Sequence, residues 1–255
     1  MLIDTHTHLY LSDFTSDIDS IITTCRNQNI EKFFLPNIDS STVNDLLQLA
    51  ANYPAVCYPM MGLHPCSVKE NYKEELSKIE AELSSNKFIA IGEIGIDLYW
   101  DKSTLEIQKE AFITQINWAK KWSLPIVIHA RDSFDEIFEV LDRHNDEKLS
   151  GIFHCFTGNE DQANKIIAYK GFKLGIGGVV TFKNAGLDKT LQSIALKHLV
   201  LETDAPYLSP VPFRGKKNTS ENLIYIAEKL ASVYSCSLEK IANQTTKYAL
   251  EIFKL

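Results

Sequence analysis

Short apolar runs alternate with amphipathic helical stripes along almost the whole chain, and few folds accept that order. β-Rich runs lie near residues 2–6, 31–36, 56–62, 88–94, 125–130, 151–156, 172–178 and 198–204. Runs this short and apolar suit strands buried on both faces, with helices covering the outside. Ile18, Ile21, Ile22 and Cys25 repeat at i, i+3, i+4, i+7, the spacing of one helix face, and Val43, Leu46, Leu47 and Ala50 do the same. After the eighth run a Pro-rich loop (Pro206, Pro210, Pro212) leads to stripes at Leu223, Ile226, Ala227, Leu230 and at Ile241, Ala242, Thr245, Ala249, Ile252. Ser133–Glu136 and Asn159–Gln162 have capping-box spacing, and Gly171 is a natural stop after Lys170. Eight βα units in 255 residues predict an α/β chain folded as a (β/α)8 TIM barrel, a single domain over residues 1–255. A doubly wound open sheet is the alternative, but the first run is not followed by its G-x-G-x-x-G turn. Pro59 sits awkwardly inside the third run, because proline donates nothing to a strand ladder.

The chain can bury a sizeable core without a staple, since 45% of its residues are hydrophobic. Its net charge of −7 excludes a broad basic surface for nucleic acid, so any polyanion must be held locally. Cys25, Cys57, Cys66, Cys155 and Cys236 are odd in number and widely spaced, which points to reduced thiols. No signal-like stretch precedes the first strand and no apolar run reaches membrane-spanning length. A cytoplasmic location away from membranes is expected, with no obligate protein partner implied.

Chemistry concentrates where the apolar runs stop. His6 and His8, Glu93, His129, His154 and Asp204 each close one of five runs: LIDTHTH, FIAIGEIG, LPIVIHARD, GIFHCF and HLVLETDAP. Strand side chains alternate, so His6 and His8 share a face with Asp4. Glu93 shares one with Ile89 and Ile91, His129 with Val127, His154 with Ile152, and Asp204 with Val200 and Glu202. Each candidate is thereby the last inward residue of its strand, where barrel enzymes place catalytic groups. A single such histidine is more often a hydrogen-bonded core residue; a set at five strand ends is not. Six ligand residues exceed what one tetrahedral ion needs but suit two ions sharing a carboxylate. Glu93 is the expected bridge, with His6, His8 and Asp204 on one ion and His129 and His154 on the other. Two divalent ions would acidify a shared water, and Asp204 could take its proton.

Asp4 and Glu202 lie one inward step below ligands, where a carboxylate could orient an imidazole. Cys155 alternates away from His154 and is rejected as a ligand, and His144 and His198 are assigned structural places. His64, in Gly-Leu-His-Pro, is a candidate substrate contact. Arg131 and the cluster Arg214, Lys216 and Lys217 are candidate phosphate contacts.

Taken together, IDTHTHL, GLHP, GEIGID, LPIVIHARD, HCFTG, GGVVTFKNA, ETDAPYLSPVPFRGK and IANQTTKYALEIF resemble the TatD family of metal-dependent deoxyribonucleases, among the amidohydrolase-type barrels. The resemblance covers nearly the whole chain. It implies a (β/α)8 hydrolase acting on DNA, with His6, His8, Glu93, His129, His154 and Asp204 at the metal positions and Glu93 as the bridge. Two positions depart from the family pattern: Thr219-Ser220 stands where Glu-Pro is usual, and Tyr248 where Asn is usual.

The expectation is a Mg²⁺-, Mn²⁺- or Zn²⁺-dependent phosphodiesterase that hydrolyses DNA, in a 3′ to 5′ direction from an end. Four imidazoles favour Zn²⁺ or Mn²⁺, whereas the family's activity is associated with Mg²⁺. An amide or ester hydrolase, or an aminoacyl-tRNA deacylase, is the rival on the same site. A non-catalytic metal-binding interaction protein is the third reading, and it has no use for a full ligand set.

Overall fold

The computed structural model describes residues 1–255 and contains all eight strands, each parallel to its neighbours. They are β1 (Leu2–Asp4), β2 (Ile30–Leu35), β3 (Cys57–Pro59), β4 (Ile91–Asp97), β5 (Ile126–Arg131), β6 (Gly151–Phe153), β7 (Phe172–Ile176) and β8 (Leu199–Leu201). Hydrogen bonding runs β1-β2-β3 and β4-β5-β6-β7-β8, and a parallel Met61–Ile91 bridge joins the two groups. The ring closes where Thr5 N donates to Leu201 O at 3.0 Å. Pro59 is accommodated because it is the last residue of β3, where its missing N–H leaves no gap in the ladder.

Nine helices surround the strands: α1 (Ile18–Asn27), α2 (Val43–Asn52), α3 (Tyr72–Ser85), α4 (Leu105–Trp122), α5 (Phe134–His144), α6 (Glu160–Ala168), α7 (Leu187–Leu191), α8 (Leu223–Val233) and α9 (Leu238–Phe253). Outward strand residues such as Ile94, Ile96, Ile128, Phe153 and Leu201 form one cluster with the inner helix faces. Inward residues Ile3, Phe34, Met60, Ala90, Val127, Ile152 and Val200 fill the barrel and meet Ala249, Ile252 and Phe253 of α9. α9 therefore plugs the end where the strands begin, and Thr246 Oγ1 donates to Met1 O there at 3.0 Å. The open end is the one where the strands finish. No helix is long and apolar enough to cross a membrane.

The two predicted helix starts fare differently. Asn159 and Gln162 form a reciprocal capping box at α6. Ser133 does not cap α5, because its hydroxyl donates instead to Ile96 O at 2.5 Å, tying the helix start to β4. α6 ends at Ala168, and Lys170 as well as Gly171 takes positive φ, so the helix stops slightly before the predicted glycine stop. All five cysteines are free thiols.

Candidate metal centre

Glu93 lies among the imidazoles at the open end, and its two oxygens face different sets of them. Oε2 is 3.1 Å from His6 Nε2 and 3.7 Å from His8 Nε2. Oε1 is 2.8 Å from His129 Nδ1, 3.2 Å from His154 Nε2 and 3.3 Å from His64 Nε2. Asp204 Oδ1 joins the first set, 3.6 Å from His6 Nε2 and 3.7 Å from His8 Nε2. The six residues singled out in the sequence thus meet at one place, divided by the two carboxylate oxygens. His64, the candidate substrate contact, lines the mouth and turns its Nε2 toward Glu93 while its Nδ1 accepts Cys66 N at 3.0 Å. It groups with Glu93 and His129, their ligand atoms within 4.8 Å of one another.

Strict alternation does not by itself deliver this convergence. Ile3 already faces the barrel interior, and β1 stops at Asp4. The chain then bends, with Asp204 N donating to His6 O at 2.9 Å, and both histidines turn inward. In β4 the register shifts between Ile91 and Ile94, so Ile91 faces the helices while Glu93 faces the centre. Asp4 is corrected for the same reason. Its carboxylate accepts from Thr203 N at 2.9 Å and Thr203 Oγ1 at 2.6 Å, and it touches no imidazole. Burial pushes the Asp4 carboxyl up to about 7. Its place is to brace the ends of β1 and β8 against each other.

Glu202 does meet a ligand candidate: its Oε1 is 3.2 Å from His154 Nδ1 and accepts from Cys155 N. Gly175 makes the room, since a Cβ there would lie 2.2 Å from Glu202 Oε2. Asp97 holds His129 in the corresponding way, its Oδ2 2.9 Å from Nε2, leaving Nδ1 for Glu93. This residue was missed in the sequence, although continuing the alternation from Glu93 through Gly95 would have reached it. Asp97→Asn is expected to weaken divalent-ion affinity about 10- to 100-fold, the usual effect of losing a carboxylate behind a ligand imidazole. Competition with a chromophoric chelator measures this, and wild-type affinity in the variant would disprove the role.

Two further expectations are corrected. Cys155 lines the mouth beside His154 despite alternation, because its φ of 46° turns the backbone there. It still belongs to none of the ligand clusters. The basic cluster lies outside the mouth. Lys217 donates to Asp13 O at 2.6 Å, and Arg214 sits 4.4 Å over the Phe182 ring. Lys216 rests over Phe213. Asn218 anchors this loop by donating to Thr203 O and Tyr207 O, so the three cations are carried past the opening. Of the candidate phosphate contacts, only Arg131 lines the mouth.

The atypical Ser220 is fully buried, 3.1 Å from the Thr7 hydroxyl between His6 and His8. Tyr248 packs on the barrel plug under Lys173.

The centre is buried and strongly polarised. Burial alone would raise the Glu93 carboxyl, but the imidazoles around it, His154 foremost, hold it well below the ordinary range. Burial would lower His154, yet Glu93 and Glu202 keep it well above its usual value. Burial lowers His6 to about 4 and raises Asp204 to about 8. Neither ring nitrogen of His6 makes a well-directed hydrogen bond, although Nε2 lies 3.1 Å from Glu93 Oε2, and the residue is fully buried. A buried polar atom without a partner costs about 1–3 kcal/mol. Imidazoles orphaned in this way, beside carboxylates, fit a divalent ion.

Comparison with known proteins agrees with this geometry. The family model for TatD related DNase matches residues 3–254. The chain belongs to the TatD family. Among its relatives is the uncharacterized metal-dependent hydrolase YabD of Bacillus subtilis, 36% identical with all of both chains covered. The uncharacterized metal-dependent hydrolase YcfH of Escherichia coli is 30% identical, covering 100% of this chain and 96% of the relative. The crystal structure of YjjV, a TatD homologue from Escherichia coli, superposes with a TM-score of 0.93 at 27% identity, over 100% of this chain and 98% of that one. A TatD family hydrolase from Entamoeba histolytica shares the fold at a TM-score of 0.83 and 20% identity, over 98% and 97% of the two chains. An amidohydrolase from Bifidobacterium longum, at 10% identity and a TM-score of 0.60, shares the fold alone.

Proposed function

We propose that this metal-dependent hydrolase of the TatD family cleaves phosphodiester bonds of DNA, using two divalent ions that share Glu93. The division of the Glu93 oxygens between His6, His8 and Asp204 on one side and His129 and His154 on the other carries this reading. His64 adds a third imidazole to the second set. Bound divalent ions supply Lewis acidity, which acidifies water and neutralises phosphate charge. Everything else falls to side chains of the chain itself. Asp97 and Glu202 fix which nitrogen of His129 and His154 faces inward. Asp204 lies at the mouth, its Oδ1 facing His6 and His8, which places its carboxylate to accept a proton from the attacking water. Arg131, the one Lys or Arg lining the mouth, is placed to meet a phosphate oxygen. A single cation there also suits a protein whose net charge is −7, since the polyanion is gripped only locally.

The test is metal-reconstituted protein on a labelled single-stranded oligonucleotide, run beside ester and aminoacyl-RNA substrates with Mg²⁺, Mn²⁺ and Zn²⁺ in turn. Cleavage of the oligonucleotide is expected, and Asp204→Asn should lower kcat by about 10²-fold, as for loss of a general base. Turnover of only the ester or the aminoacyl-RNA would overturn the nuclease reading.

A further inference from the structure

We propose that Trp100 and Tyr99, backed by Arg131, form a stacking platform for an unpaired nucleobase beside the scissile phosphate; this rests on the phosphodiesterase reading above. The first observation is where apolar surface is left uncovered. The exposed large apolar side chains are Met1 and Leu255 at the chain ends, and Tyr99, Trp100, Tyr207, Leu208 and Val211. All except the chain ends fall in two loops, after β4 and after β8. In a ring of eight strands in sequential order, these two loops stand on opposite sides of the mouth. Trp100, Tyr207 and Leu208 of this set line the mouth, and apolar surface gathered at one opening, unlike apolar surface scattered at random, marks a binding site.

Trp100 is the most exposed of the set, at 71%. It is held in place all the same. Asp97 Oδ1 accepts from Tyr99 N at 3.0 Å and from Trp100 N at 3.4 Å. The two rings meet edge to face, with centroids 4.8 Å apart. The Arg131 guanidinium lies 3.8 Å from the Tyr99 centroid and 5.5 Å from that of Trp100. The loop backbone is thus braced and the rings are already packed on each other before any ligand arrives, which lowers the ordering required on binding. The same Asp97 holds His129, so the aromatic pair is built onto the metal centre through one side chain.

These features select the ligand's chemistry. An exposed indole beside a guanidinium binds flat π-systems, and a base stacked on such a residue gains about 5- to 150-fold in affinity. Trp100 and Arg131 share the mouth with Glu93, Asp204 and Tyr207, in a cavity of about 740 Å³. That volume accepts a nucleotide-sized ligand and not a duplex. A base in a duplex has its faces covered by its neighbours, so only an unpaired or frayed base can use the platform. Tyr207, edge-on to His8 at 6.1 Å between centroids, forms the facing wall.

Two oligonucleotides distinguish this: a single strand with its terminal base intact, and the same strand with an abasic residue there. Wild-type holoenzyme should cleave the intact strand about 5- to 150-fold more efficiently in kcat/KM. Trp100→Ala should bring that ratio close to one, and Trp100→Phe should keep most of it. Binding gives an independent readout. Trp118 and Trp122 lie together on α4, so the fluorescence lost in Trp100→Phe isolates Trp100. A phosphorothioate strand carrying the base should quench that signal, and the abasic strand should not. Equal cleavage of both strands by the wild type, or an unchanged ratio in Trp100→Ala, overturns the platform and leaves the phosphodiesterase reading standing. Base-dependent quenching without cleavage under any of the three metals does the reverse.

Discussion

Glu93→Ala is expected to remove both proposed ions together and to lower hydrolysis by on the order of 10³-fold. The reason lies in the two faces of one carboxylate. Oε2 serves the His6 and His8 side, and Oε1 serves the His64, His129 and His154 side. Alanine leaves both sets of imidazoles without a shared anion, in a pocket where Glu93 is 2% exposed. The consequences should differ from those of Asp204→Ala, since Asp204 approaches only His6 and His8. Metal per chain, measured by elemental analysis after dialysis against each ion, should fall toward zero in the first variant and toward one in the second. Near-equal retention by the two variants would show that Glu93 does not bridge. Full occupancy with full activity in Glu93→Ala would remove the two-ion proposal altogether.

The barrel was legible because its pattern depends on burial. A strand covered on both faces has to be apolar throughout, and a helix lying on it has to be apolar along one stripe. His129 after Val127 and His154 after Ile152 were legible for a related reason, as alternation survives in β5 and β6. Where the backbone departs from regular pleating, the same logic misplaces side chains. The bend after Asp4 sends Asp4 to Thr203, the irregularity in β4 reverses the facing of Ile91, and the positive φ of Cys155 brings it to the mouth. These departures come from pairing with strands distant in sequence, and no local pattern contains them.

The basic loop shows a different limit. Composition places Arg214, Lys216 and Lys217 after β8, but the direction of the loop is set by Asn218 reaching back to Thr203 O and Tyr207 O. That contact sends the cations past the opening. The exposed Tyr99 and Trp100 went unremarked for a comparable reason. An aromatic pair in a sequence looks the same whether it fills a core or faces water.

Gly95→Ala is expected to be the most destabilising single-methyl change in the chain, and it links the fold to the centre. Gly95 pairs with His129 across β4 and β5, and a Cβ built on it would lie 2.1 Å from His129 O. Its φ of +140° is a region that side-chain-bearing residues rarely adopt. The backbone conformation alone should cost about 1–3 kcal/mol. Forcing the two strands apart should cost about a further 1–3 kcal/mol. Together these are a large share of the roughly 5–15 kcal/mol that holds a domain folded. Gly186→Ala is the control: it also has positive φ, at +71°, but nothing lies within 4 Å of its Cβ position. In urea unfolding the Gly95 variant should show a much lower midpoint than the Gly186 variant, with the slope unchanged. Because the displaced atom is the His129 carbonyl, divalent-ion affinity measured below the unfolding transition should fall in the Gly95 variant alone. Matching midpoints and matching affinities in the two variants would mean that β4 and β5 are not packed as closely as the Gly95–His129 approach requires.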